Sequence, residues 1–223
     1  MPESAKALGT RFEPAKHGFR FANRFAWPAR ARGWALARAG LRLVRLQADA
    51  LGLCGGMCLA ALDYYYAGRP IPADDLPPRP GSPLFRYLLQ RQLDSYAGLR
   101  LPLRVLRWMW CRDRHLDRLT LAEFERLRVH LDGGAPMPLV LIRARGLADP
   151  TVNHQVLAIG YTWEPLTSRA AIFLYDPNHP TARPTLAFTV APNKRVSGLS
   201  QSTGEPLRGF TLGYYRPPAA LLP

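Results

Sequence analysis

The chain has 223 residues, 48% of them hydrophobic and 21% charged, which suits one folded domain with a sizeable core and excludes a mostly disordered polypeptide. Its formal charge of +14 would suit a nucleic acid, an anionic membrane or an acidic polymer as partner, yet only Lys6, Lys16 and Lys194 are lysines, and a GC-rich coding bias produces the same arginine excess. Three cysteines with no apolar leader in "MPESAKALGTRFEPAKHGFR" argue for free thiols, and no run reaches the roughly 18 apolar residues of a membrane span, so the chain is expected to start in the cytoplasm, with any export by a leaderless route.

Residues 1–28 carry Phe19, Phe21, Phe25 and Trp27 in an extended pattern and predict an arm lying across the domain. From Ala29 to Gln47, arginines alternate with Trp34, Leu36, Leu41, Val44 and Leu46; the start reads as helix, while "LRLVRLQ" suits helix or strand. Such a basic amphipathic segment either lies on a membrane surface or presents a solvated face over a core. Residues 1–46 are therefore read as a basic N-terminal extension packing on a domain that spans 47–223.

Within that domain, Asp49 to Ala67 predicts a core helix, followed by a Pro-rich loop from Gly68 to Pro83. Helical spacing recurs over "PLFRYLLQRQLDSYAG", "LPLRVLRWMWCRD" and "LTLAEFERLRVHLDGG", the last opening at Thr120 as N-cap and closing at Gly133 and Gly134. Beyond Pro136 come five β-rich runs: "PLVLIRA", "HQVLAIGYTW", "AAIFLYDP", "TLAFTV" and "FTLGYY". Helices first and strands second predict an α+β fold with the helices packed on one antiparallel sheet.

The chemistry-bearing stretch is "GLCGGMC", residues 52–58, at the start of the predicted core helix. A thiol acts as a nucleophile only as thiolate, and a helix N-terminus favours that anion through its dipole and unpaired amides. Cys54 sits where the helix begins, and Gly55 and Gly56 leave bare backbone beside it, so an oxyanion could meet the Cys54 amide. Cys58, one turn further in, suits packing. A base is needed, and His154 opens the strand "HQVLAIGY"; Asp176, at the end of the next strand in "FLYDPN", is placed to orient it. His179 is a rival base set in a turn, Asn153 and Asn178 either support the site or form turns, and Trp108, Trp110 and Trp163 read as core or cleft walls.

Together, "CGGMCLAALDYYYAG", "NHQVLAIGY" and "YDPN" resemble the motifs of papain-like cysteine peptidases, closest in pattern to the C39-type branch, whose CGxxC motif opens the central helix. The resemblance covers about residues 47–178 and implies a papain-like fold. It also implies a peptide or protein substrate, Cys54 as nucleophile, His154 as general base and Asp176 as orienter. It further implies an oxyanion hole shared by the Cys54 backbone N–H and an upstream glutamine, for which Gln47 is the candidate. The Arg-rich N-terminal region and the Pro-rich loop lie outside the minimal pattern, so leader-peptide processing is not implied.

No metal or cofactor is expected: Cys54 and Cys58 lack CxxC spacing, no second Cys/His pair follows, and Cys111 stands alone in "WMWCRD". The predicted activity is hydrolysis of a peptide, isopeptide or amide bond through an acyl-enzyme, a path shared by deamidation and acyl transfer. The alternative is a non-catalytic papain-like scaffold binding a polyanion or a protein partner through its arginines; as a partner beyond the substrate, a weak association of those arginines with a polyanion or a membrane surface is expected.

Overall fold

A computed structural model describes residues 7–25, 52–219 and 222–223. After a short strand β1 (Ala7–Gly9) and a single helical turn α1 (Pro14–His17), the helices follow as α2 (Cys54–Tyr66), α3 (Pro83–Ser95), α4 (Arg100–Met109) and α5 (Asp113–Asp132). The strands β2 (Met137–Ile142), β3 (His154–Glu164), β4 (Arg169–Tyr175), β5 (Thr185–Ala191), β6 (Arg195–Gln201) and β7 (Gly209–Leu212) then form the sheet. The architecture is α+β, with an antiparallel seven-stranded sheet in the order β6-β5-β4-β3-β2-β7 and β1 paired beside β3.

The central helix α2 is apolar on nearly every side, so it buries rather than lies on the surface. Met57, Leu59 and Leu62 pack with Phe85, Leu88 and the arm residues Phe12, Phe19 and Phe21 against Leu157 and Tyr175 of the sheet. Its polar exception, Asp63, is held by Arg91 of α3 through two hydrogen bonds of 2.7 and 3.0 Å and by the Tyr87 hydroxyl at 2.9 Å. Burial pushes the Asp63 carboxyl up from its usual range despite the guanidinium beside it.

On the other face, α5 sends Phe124, Leu127 and Leu131 into a core shared with β2 to β7. Buried Glu123 fastens this helix to β7, accepting from the Leu212 amide at 2.7 Å and the Thr211 hydroxyl at 3.1 Å. The sheet curls around α5, which packs on both β6 and β7 although these stand at opposite ends of the strand order.

Several boundaries differ from the sequence expectation. Helix α5 starts at Asp113, so Thr120 is a buried mid-helix residue and not an N-cap. The start of α3 does carry a cap, Ser82 accepting from the Phe85 amide at 3.2 Å with Pro83 at the first helical position. Two strands escaped the pattern. β6 contains Gly198 at φ +65° and a register shift opposite Ala187 and Thr189, which breaks the alternation expected of a strand. β1 has only three residues. The arm is integral to the fold over residues 7–25, because β1 pairs with β3 and Phe12, Phe19 and Phe21 are buried. The segment expected as helix or strand over 29–47 lies outside the described residues.

Candidate active site

Cys54 is the first residue of α2, where backbone amides lack intrahelical acceptors. Two neighbouring amides are taken by side chains: that of Leu53 donates to Asn23 Oδ1 at 2.6 Å and that of Gly56 to Gln92 Oε1 at 2.8 Å. The amide of Cys54 itself belongs to the orphan set of the first turn. Cys54 is half-buried as a residue, whereas Cys58 is fully buried with its Sγ 3.6 Å from the Gln155 carbonyl oxygen. Burial pushes the Cys58 thiol well above its ordinary value, so it stays a protonated packing residue.

His154 opens β3 and Asp176 directly follows β4. The antiparallel register pairs Leu157 with Tyr175; one step further sets Asp176 opposite Val156, so His154 becomes its diagonal neighbour on the same face. The contact is short: His154 Nε2 lies 2.6 Å from Asp176 Oδ1, both side chains being buried. That leaves Nδ1 free on the side of Cys54, and the thiol and the imidazole lie close enough to shift each other's proton affinity.

Three coupled shifts follow. Burial alone would raise the Cys54 thiol, but the hydrogen bond and charge of His154, with amides of Gln155 and Gly55, hold it below its ordinary value. Burial would lower His154, yet Asp176 and Cys54 together raise it to about 9. Asp176 is opposed by burial too, and His154 with the Asn178 amide brings it below the usual carboxylate range. All three directions favour a thiolate–imidazolium pair backed by a carboxylate.

No protein-family model, curated protein or solved structure matches the chain.

Asp176 is braced from behind. Gln201 Nε2 approaches Oδ2 at 3.4 Å, Gln201 Oε1 accepts from Arg143 at 3.2 Å, and Arg143 forms a two-pronged pair with Glu205 at 2.9 and 3.2 Å. His179 stands 3.6 Å from Glu205, in this outer network and not at the thiol, which removes it as the rival base. Asp176, His179 and Glu205 bring ligand-type atoms within 4.8 Å of one another. Their carboxylates are already engaged by His154 and Arg143, and a guanidinium occupies the role a cation would take.

The remaining predicted residues are placed as follows. Asn178 supports Asp176 through its amide at 2.8 Å, and its side chain accepts from Asn23 at 3.0 Å. Asn153 forms a turn instead: its Oδ1 accepts from the Arg143 and Ala144 amides at 2.8 and 3.1 Å, shaping the loop before His154. Gln47 lies outside the described residues. Trp108 is buried in the cluster between α4 and β2, Trp163 is partly buried in the separate cluster between α5 and the sheet, and Trp110 is exposed and walls no cleft.

Gly55 and Gly56 were expected to leave bare backbone beside Cys54 for an oxyanion, and the structure gives them a packing role. A Cβ on Gly56 would stand 2.1 Å from the Leu88 carbonyl oxygen, and one on Gly55 2.4 Å from Ser95 Oγ and 2.5 Å from Gln155 Nε2. Both glycines are crossing points where α2 meets α3 and the start of β3.

Sequence reasoning missed the wall on that side: Gln92, Ser95 and Tyr96 from the end of α3, and Gln155 from β3. Gln155 Nε2 donates to Ser95 Oγ at 3.0 Å, and Tyr96 lies near enough for a Cys54 thiolate to help burial raise its phenol. Polar residues late in a helix resemble a solvated face, so their only signal was the glycine pair they pack against.

Proposed function

We propose that the protein is a papain-like cysteine hydrolase acting on a peptide, isopeptide or amide bond. The observation that carries this reading is the alignment of a partly exposed Cys54 at a helix N-terminus with buried His154, itself bonded to Asp176 at 2.6 Å. His154 takes the Cys54 proton, and the sulfur adds to the acyl carbon while the carbonyl oxygen becomes an oxyanion beside the α2 amides. Collapse breaks the carbon–nitrogen bond, and His154 returns its proton to the departing amine. Water, deprotonated by His154, then attacks the thioester; the acid leaves and Cys54 recovers its proton. Gln47 is proposed as the side-chain donor to the oxyanion. With ammonia as the leaving group the path is deamidation, and with another amine in place of water it is acyl transfer.

Iodoacetamide labelling of the native protein, resolved by peptide mass, tests the reading. Cys54 should alkylate near neutral pH much faster than Cys111, with Cys58 protected until unfolding. Equal and slow labelling of all three would favour the second reading, a non-catalytic scaffold that binds an acidic partner through its arginines. The formal charge of +14 is the observation that keeps this second reading in play.

A further inference from the structure

Helix α4 is apolar on two opposite sides. Leu101, Val105, Trp108 and Met109 are buried against β2 and the loop after it, as a surface helix requires. The opposite side should then be polar. Instead Leu99, Leu103, Leu106 and Trp110 are 67, 60, 42 and 64% exposed, and their spacing of four, three and four residues lines them up as one stripe. A helix apolar on both sides ordinarily has both sides covered.

The charge beside the stripe identifies the cover. Arg100, Arg104 and Arg107 flank it and line a shallow depression together with Leu103. Arg104 is engaged by Thr211, Leu212 and Tyr214, whereas Arg100 and Arg107 have no ion-pair partner among the described residues. The neighbouring carboxylates are already spent, Asp94 on Arg91 and Asp113 on Arg145 and Arg208. A second copy docking through this face would set arginines against arginines, and so would the basic segment 26–51 of the same chain. Nucleic acid would leave the leucines and Trp110 unused. An exposed apolar stripe flanked by unpaired arginines suits a soft surface that is apolar below and anionic above.

We propose that α4 is a membrane-docking helix, lying flat on an anionic phospholipid surface with its Leu99–Trp110 stripe in the acyl boundary. Arg100 and Arg107 meet lipid phosphates at the depression beside it, and Trp110 anchors one end at headgroup depth. This surface is distinct from the Cys54 site and stands whether or not that site is catalytic.

Flotation of the full chain with phosphatidylcholine vesicles, with and without phosphatidylglycerol, tests the proposal. The wild type should float only with the phosphatidylglycerol vesicles, and more weakly as salt is raised. Leu103→Glu with Leu106→Glu removes exposed side chains only, so its thermal midpoint should hold while its partition falls by at least about tenfold. Arg100→Glu with Arg107→Glu, which leaves the leucines in place, should weaken binding by about fivefold or more per arginine. Wild-type protein that stays with the unfloated fraction would overturn the proposal. So would variants that float as the wild type does, since lipid affinity would then belong to residues 26–51.

Discussion

Asp176→Asn is the sharpest perturbation of the candidate site, because it removes a charge while keeping the shape and the oxygen that accepts from His154 and Asn178. The imidazole of His154 is raised from 6.5 to about 9 against the opposing effect of burial. That separation corresponds to roughly 3 kcal/mol of preference for the imidazolium, supplied by Asp176 and Cys54 together. Without the carboxylate, burial prevails: His154 should fall to its ordinary value or below, and Cys54, no longer facing an imidazolium at neutral pH, should rise to or above that of a free thiol. The assay is the rate of Cys54 alkylation from about pH 5 to pH 10. Wild type should be reactive at neutral pH, with an alkaline transition near 9 as His154 loses its proton. The variant should show one ionisation at or above the ordinary thiol value and at least about tenfold less reactivity near neutrality.

Stability moves with the same charges. A raised His154 contributes stability that is complete below its unfolded value of 6.5 and lost as pH rises through about 9. A lowered Asp176 contributes stability that is present above its ordinary range and lost as pH falls through its folded value. The difference in thermal midpoint between wild type and Asp176→Asn should therefore be largest near neutral pH and shrink in both directions. Superimposable alkylation profiles for the two proteins would refute the coupling of Cys54, His154 and Asp176.

Two further substitutions probe the frame around the site. Gly56→Ala puts a methyl 2.1 Å from the Leu88 carbonyl oxygen, which is backbone and cannot swing aside, so α2 and α3 must separate; chemical denaturation should show a loss of about 3 kcal/mol. Arg91→Ala strips the buried Asp63 of its bidentate partner, and the same measurement should show a loss of about 3 to 5 kcal/mol, reduced when Asp63→Asn is added so that no unpaired charge remains.

How much could be read from the sequence depended on whether a residue's role was set by its own element. His154 and Asp176 were legible because each stands at the edge of a strongly apolar run, "HQVLAIGY" and "AAIFLYDP", where an isolated polar group is conspicuous. Cys54 was legible because glycines and a second cysteine mark a buried helix start. The helices-then-sheet order was legible as well, since α5 is periodic and the five runs after Pro136 are short, apolar and separated by turn residues. Residues that act across elements left no such mark. Gln92 and Ser95 sit on a helix among ordinary polar residues, and only the fold turns them toward α2. Gln201 and Arg143 end β6 and follow β2, strands at remote positions in the sheet, and meet only because the sheet curls. The glycines show the same limit: their bareness could be seen, but which neighbour required it could not.

The N-terminal arm illustrates why such cross-element contacts matter to the chemistry. Asn23 donates from its side chain to Asn178 at 3.0 Å and accepts from the Leu53 amide at 2.6 Å, while its own amide donates to Pro177 at 2.9 Å. One residue thus ties the helix end that carries Cys54 to the loop that follows Asp176. The arm is itself fixed by buried Phe19, whose amide donates to the Tyr175 hydroxyl at 3.1 Å, and by the crossing of Gly18 over the Tyr175 ring. Cys54 and His154 come from separate elements, a hundred residues apart in sequence, so their approach is only as constant as the spacing of α2 from the sheet. The glycine crossings set that spacing on the α3 side and Asn23 sets it on the other. Held from both sides, α2 keeps Cys54 beside the imidazole, the preorganisation that the proposed activation of Cys54 by His154 would require.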